Sequence, residues 1–108
     1  MTSKTKTELN EICRIIVDTI QTNKIYLFGS YAYGSPNEES DYDICVIIPD
    51  SNVRVIDETK KLRRALAVAQ SLPLDLLIYH NSRFEEKKTT SAFERQIANK
   101  GVLLYERV

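Results

Sequence analysis

The sequence predicts an α/β (α+β) domain in which helices pack on a small mixed β-sheet. Two observations lead to this class. Apolar residues recur at helical spacing in two long segments, and short apolar, β-branched runs lie between and after these segments. The order of the segments is α-β-loop-β-α-β-α-β. The sequence does not decide between parallel and mixed pairing of the strands.

Two long helices are expected. Thr5-Lys6-Thr7-Glu8 has the pattern of a capping box, and the periodic apolar residues that follow it extend the first helix to about Gln21. The second helix shows one apolar face from Val55 to Ala69, and Pro73 is expected to end it.

One or two shorter helices and four strands complete the prediction. Ser82-Arg83-Phe84-Glu85 and Ser91-Ala92-Phe93-Glu94 both resemble capping boxes, and the helix after Ser91 is expected to end near Gly101. A polar loop is expected between the first two strands, up to about Ser40. The second and third strands are expected to be buried. The predicted strands are Ile25–Phe28, Tyr42–Ile48, Leu74–Tyr79 and Val102–Tyr105.

The length and composition restrict the possible functions. A chain of 108 residues allows one domain, so we expect a single domain over residues 1–108. Fifteen basic and fifteen acidic residues give a formal net charge of zero, which argues against a general nucleic-acid binder. No apolar run is long enough to span a bilayer, and the N-terminus lacks a signal core. Cys13 and Cys45 lie within apolar patterns and are expected to be reduced core residues, which favours the cytoplasm.

A Gly-Ser pair follows the first predicted strand. Gly29 would let the backbone approach a ligand closely, and Ser30 would add a hydroxyl donor. A helical turn that begins at Ser30 would favour a bound phosphate. The alternative is an ordinary turn, which such a pair more commonly forms.

Asp41 and Asp43 open an otherwise apolar strand. Residues at i and i+2 of a strand point to the same face, so the two carboxylates would repel each other. A bound Mg²⁺ ion would remove this conflict, because it prefers oxygen ligands and completes its shell with phosphate. The alternative is an acidic strand entrance that faces solvent.

Asp75 adds a third carboxylate within the apolar run Leu74–Tyr79. An isolated Asp in a buried strand is costly unless it is paired or bound to a metal. If this strand lies beside the strand of Asp41 and Asp43, three carboxylates converge beside Gly29-Ser30. That arrangement is typical of two-metal phosphoryl transfer.

The combination resembles the signature of the DNA polymerase β-like nucleotidyltransferase superfamily. Gly29-Ser30, a ten-residue interval and Asp41-Tyr42-Asp43 carry the resemblance. It extends to Ala32, Gly34, Ser40, Asp75 and the ending Gly101–Glu106, and covers roughly residues 9–106. The chain is most similar to the minimal nucleotidyltransferases. One departure is Tyr33, where relatives often carry an Arg before the second Gly.

The resemblance implies a nucleotidyltransferase core and a set of residue roles. Asp41 and Asp43 would hold two Mg²⁺ ions. Asp75 would complete one metal site and lie near the acceptor hydroxyl as a base. Gly29 and Ser30 would hold the triphosphate of ATP.

The resemblance also implies a partner. Small members of this family are often paired with a HEPN-domain RNase, to which the nucleotidyltransferase acts as antitoxin by transferring AMP from ATP to a tyrosine hydroxyl. This chain has no HEPN Arg-x4–6-His signature, so it would be the antitoxin. The alternative is a non-catalytic module that neutralises the toxin by binding it. Transfer to a small molecule is disfavoured, because such relatives usually carry an added helical domain.

Other residues have simpler explanations. His80 is expected to be a surface loop histidine. The basic cluster of the second long helix is expected to be a solvated face, with docking of an acidic partner or a triphosphate as the alternative. Tyrosines near the motif are expected to cap the core, with stacking on a base as the alternative for two of them. These residues are Lys60, Lys61, Arg63 and Arg64 for the cluster, and Tyr31, Tyr33 and Tyr42 for the tyrosines.

Overall fold

A mixed α/β architecture is seen in the computed structural model, which describes residues 1–37, 40–69 and 74–108. Within these ranges the helices and strands alternate largely as predicted. Their order is α1 (Ser3–Thr19), β1 (Lys24–Phe28), α2 (Ser30–Tyr33), β2 (Tyr42–Ile48), α3 (Val55–Ala69), β3 (Leu74–His80), α4 (Asn81–Thr90), α5 (Ala92–Lys100) and β4 (Val102–Glu106).

The four strands form one mixed sheet in the order β3-β2-β1-β4. β1 pairs antiparallel with both β2 and β4, whereas β2 and β3 run parallel. The predicted fold class is therefore confirmed, and the strand pairing that the sequence left open is mixed. β2 is a central strand and is buried at every position except Asp43.

The position of β3 shows that one prediction, the burial of this strand, is wrong. The sequence predicts a buried strand, but β3 lies at the edge of the sheet, and only Leu76 and Ile78 along it are buried. A continuous apolar run cannot by itself distinguish a central strand from an edge strand. Asp75 is consequently exposed rather than enclosed in the core.

Helices cover both faces of the sheet. Strand residues alternate between the faces, so Ile25 and Leu27 of β1 face α1 and α3, while Tyr26 and Phe28 face α4 and α5. The larger core lies under α1 and α3, and the smaller one is built on Phe84 of α4 and Ile97 of α5. Of the helices in the described ranges, none is long and apolar enough to cross a membrane.

The helix ends show which predicted capping signals operate. The Thr2 hydroxyl accepts a hydrogen bond from the Thr5 backbone N–H (3.1 Å), so Thr2 caps α1. The predicted capping box at Thr5 is therefore wrong. Ser82 does not cap α4 either, because its N–H and hydroxyl both donate to the Asp50 carboxylate. Ser91 and Gly101 flank α5 as predicted, but the Ser91 side chain makes no capping hydrogen bond. The span of α3 is confirmed, but Pro73 lies outside the described residues.

Both cysteines are free thiols, as predicted. Burial raises the pKa of Cys13 to about 11, and burial and the charge of Glu94 raise that of Cys45 to about 12. We therefore expect a maleimide at pH 8 to label the native protein at least ~10-fold more slowly than the protein in denaturant, because the reactive thiolate is scarce. Equally fast labelling of Cys45 in both conditions would contradict its position in the core.

Candidate active site

One end of the sheet gathers the motif residues. β1 ends there at Phe28, and the parallel strands β2 and β3 both begin there. Phe28 lies opposite Asp43 in the antiparallel pair, and Asp43 lies beside Asp75 in the parallel pair. Asp41 immediately precedes β2. The strand register therefore brings together residues that are far apart in the sequence.

Asp43 and Asp75 form a carboxyl pair. They occupy neighbouring register positions on the face covered by α4 and α5, and the protonated Asp43 carboxyl donates a hydrogen bond to Asp75. Partial burial, this hydrogen bond and the charges of Asp75 and then Asp41 raise the pKa of Asp43 from 3.8 to about 6. Two carboxylates at this spacing repel each other when both are ionised, and a bound cation would reduce this repulsion.

Gly29 owes its identity to Asp43. Its φ of 72° and ψ of −152° fall in a region that essentially only glycine adopts. A Cβ atom at this position would overlap the Asp43 carboxylate. The sequence suggested that the missing side chain makes room for a ligand, whereas the structure shows that Asp43 fills this room. Because Gly29 has no Cβ atom, the Asp43 carboxylate can lie against the backbone at the start of α2.

The turn after Gly29 is helical. A helical turn that begins at Ser30 is the arrangement that would favour a bound phosphate. The Gly29 carbonyl accepts hydrogen bonds from the N–H groups of Ala32 and Tyr33, both at 3.0 Å. Ser30 opens the four-residue helix α2 and is half-buried. Its position at the end of β1 places it next to the pair of carboxyls.

The donor chemistry of this site fits Mg²⁺. Mg²⁺ usually takes one or two protein carboxylates and completes its shell with water and substrate phosphates. The paired carboxyls of Asp43 and Asp75 meet that requirement. Within residues 1–37, 40–69 and 74–108, however, no three His, Cys, Asp or Glu side chains are grouped closely enough to hold a metal ion alone. Besides the two carboxyls, a complete shell at this position would therefore use other oxygens, such as those of water and of a nucleotide.

The aromatic residues near the motif divide into two groups. Tyr42 is buried in the core under α1, and the half-buried Tyr31 packs on it with ring centroids 4.5 Å apart. Both therefore cap the core, whereas Tyr33 is 38% exposed. On the opposite face, Phe28 contacts Phe93 of α5 edge to face at 5.7 Å. No local pattern in the sequence indicates this position of Phe93, because only the packing of α5 on β1 brings the ring here.

His80 and the basic cluster lie elsewhere. His80 is the last residue of β3, at the end remote from the carboxyls, and is half-buried rather than in a surface loop. Its Nδ1 and Nε2 atoms lie 3.3 Å and 2.9 Å from the carbonyl oxygens of Pro49 and Val53. On α3, Lys61 lies 3.5 Å from Glu58, and the other three cations of the cluster are exposed. This exposure agrees with a solvated face.

Comparison with known sequences decides the family. The sequence profile described as "Nucleotidyltransferase domain" matches residues 7–104, which is almost the whole chain. This chain belongs to the nucleotidyltransferase domain family. A Methanocaldococcus jannaschii protein assigned as a protein adenylyltransferase is 38% identical to it over 78 residues, which cover 68% of this chain and 78% of the relative. The predicted family and enzyme class are confirmed.

Solved structures support the nucleotidyltransferase fold. A chain of a toxin–antitoxin crystal structure with AMP-PNP is 26% identical, with a TM-score of 0.57 over 92% of this chain and 73% of that one. A chain from the complex of a tri-AMPylated Shewanella oneidensis HEPN toxin with its MNT antitoxin is 25% identical. Its TM-score is 0.50, over 92% of this chain and 70% of that one.

Proposed function

We propose that this nucleotidyltransferase transfers AMP from ATP to a tyrosine hydroxyl of a HEPN-domain partner, and that it acts as the antitoxin of this pair. The observation that carries the proposal is the Asp43–Asp75 pair beside Gly29 and Ser30 at one end of the sheet. An acidic pair next to a helical turn suits a metal-bound triphosphate. The relatives support the acceptor class, since one structural neighbour comes from a complex with an AMPylated HEPN toxin.

Each aspartate has a distinct proposed role. Asp41 and Asp43 would hold two Mg²⁺ ions, and Asp75 would complete one of these sites. When bound, the ions supply positive charge to the α-phosphate and the leaving pyrophosphate. Asp75 is exposed at the sheet edge, where an acceptor from another chain can reach it. Gly29 and Ser30 would position the triphosphate.

The chemistry is a single displacement. The acceptor oxygen forms a bond to the α-phosphorus, the bond between that phosphorus and the bridging oxygen of the β-phosphate breaks, and pyrophosphate leaves. Asp75 would take the hydroxyl proton as a base. A second protein would supply the tyrosine, and the support for this is the AMPylated HEPN toxin in the complex that contains one structural neighbour. We place the reaction in the cytoplasm, where the two free thiols stay reduced.

The proposal is tested by transfer of label from ATP to the partner. The chain is incubated with Mg²⁺, ATP labelled at the α-phosphate, and the proposed HEPN-domain partner. We expect label on a tyrosine of the partner, none with ATP labelled only at the γ-phosphate, and loss of RNase activity. The Asp41→Ala/Asp43→Ala variant should transfer no label, whereas Asp57→Ala, which removes an exposed carboxylate of α3, should act like the wild type.

The same experiment separates catalysis from binding. If the double variant neutralises the partner as well as the wild type does and no label is transferred, the chain is a stoichiometric binding module. If label appears on the partner but on serine or threonine, the acceptor assignment is wrong and the transferase assignment stands.

A further inference from the structure

Phe93 exposes 47% of its surface next to the candidate active site. Its ring contacts Phe28 edge to face at 5.7 Å, and Phe28 lies directly opposite Asp43 in the strand register. Side chains of such opposite residues have Cβ atoms about 5 Å apart. The Phe93 ring therefore lies within roughly the length of one nucleotide of the carboxyl pair.

The residues after Phe93 hold it in this position. Glu94 is 5% exposed and accepts a hydrogen bond of 2.6 Å from the Tyr79 hydroxyl of β3. The Arg95 guanidinium donates to the carbonyls of Lys88 and Thr89, both at 3.2 Å, which ties α5 to the end of α4. The first turn of α5 is therefore anchored to both β3 and α4. Within this turn, Phe93 presents a half-exposed aromatic surface beside a polar site.

We propose that Phe93 is a stacking platform for a planar aromatic ring bound at this site, namely the adenine base of the nucleotide. This inference rests on the proposed function and names the contact that holds the base. The phenylalanine pair lies on the β1 side of Asp43, and Phe28 is followed at once by Gly29 and Ser30, the proposed triphosphate residues. Asp75, beside which the acceptor enters, lies on the opposite side, on β3.

Other aromatic residues fit this role less well. Tyr31 already packs on Tyr42, and Tyr33 is held only in the short helix α2. Stacking of a base on an aromatic ring contributes about 1–3 kcal/mol, which corresponds to an affinity change of about 5- to 150-fold. Phe93 should thus account for a measurable part of ATP affinity and for none of the affinity for the phosphates alone.

The test compares ATP with inorganic tripolyphosphate, which has no base. Dissociation constants of both are measured with Mg²⁺ for the wild type, Phe93→Ala, Phe93→Tyr and the matched control Leu103→Ala, which truncates another half-exposed apolar side chain. We expect Phe93→Ala to weaken ATP binding 5- to 150-fold and to leave tripolyphosphate binding within about twofold. Phe93→Tyr and Leu103→Ala should bind both ligands as the wild type does.

Several outcomes overturn the platform. If Phe93→Ala weakened the binding of ATP and of tripolyphosphate equally, Phe93 would only support the shape of the phosphate site. Unchanged ATP binding combined with a raised KM for the protein acceptor would assign the ring to the acceptor. A wild type that binds neither ligand overturns both the platform and the proposed function. If Phe93→Ala selectively loses ATP but the wild type transfers no AMP, the platform stands and the transferase proposal fails.

Discussion

Replacing Asp43 with Asn is expected to abolish nucleotidyl transfer and to stabilise the metal-free protein above pH 6. Transfer should fall at least ~1000-fold, because a neutral amide cannot supply the negative charge that holds a cation at the α-phosphate. Activity is followed as AMP transfer to the partner. Stability is followed as the free energy of unfolding in urea.

The stabilisation follows from the raised pKa of Asp43. In the folded protein this pKa is about 6 rather than 3.8, owing to burial and to Asp75. The folded state therefore prefers the protonated form, so the contribution of Asp43 to the free energy of unfolding is most favourable below pH 3.8 and is lost as the pH rises to about 6. The Asp43→Asn variant has no ionisable carboxyl at this position and therefore does not lose stability in this way. Because the carboxyl is partly exposed, solvent screening reduces the gain to about 1 kcal/mol at pH 8.

Two controls make this prediction specific. Asp57→Asn removes an exposed carboxylate from the first turn of α3, so it should leave activity unchanged and should lower stability slightly rather than raise it. At pH 4 the stability advantage of Asp43→Asn should largely disappear, since Asp43 is then mostly protonated. An advantage of the same size at pH 4 and pH 8 would show that it does not arise from ionisation of Asp43.

Replacing Gly29 with Ala is expected to damage both folding and activity. Backbone angles of φ 72° and ψ −152° cost a non-glycine residue about 1–3 kcal/mol, and the added Cβ overlaps the Asp43 carboxylate. Relief of this overlap must move the carboxylate. A displacement of about 1 Å at a reacting centre can reduce the rate about 100-fold. Urea unfolding and AMP transfer measure the two effects.

A double-mutant cycle separates strain from overlap. In an Asp43→Ala background the carboxylate is gone, so Gly29→Ala should then cost the backbone strain and a milder contact with the remaining Cβ of residue 43 at 3.2 Å. It should destabilise the protein less than it does in the wild type. Equal costs in both backgrounds would mean that Gly29 and Asp43 do not interact, contrary to the structure.

Local signals in the sequence predicted much of the fold. The bounds of β2 and α3 are as predicted, because a β-branched run and a helical period are properties of the segments themselves. The start of α1 was wrong because Thr2 offers a cap one turn before Thr5. The burial of Asp75 was wrong because the place of β3 at the sheet edge depends on the order of all four strands.

In the candidate site, too, local sequence signals predict some features, and others depend on how the elements pack. The motif residues Gly29, Ser30, Asp41 and Asp43 lie close together in the sequence, and their proximity could be predicted. The pairing of Asp43 with Asp75 depended on whether β2 and β3 are neighbours, which the structure answers. The contact of Gly29 with Asp43 and the position of Phe93 arise from packing between elements. No periodicity or spacing in the sequence indicates them.

We propose that the carboxyls at this end of the sheet catalyse AMP transfer to a partner protein. The most direct measurement is the intact mass of the HEPN partner after incubation with this chain, Mg²⁺ and ATP. We expect the partner to gain the mass of one or more AMP units with the wild type. It should gain none with Asp43→Asn, or when ATP is replaced by its α,β-methylene analogue. An unmodified partner, or equal modification by Asp43→Asn, would contradict the claim.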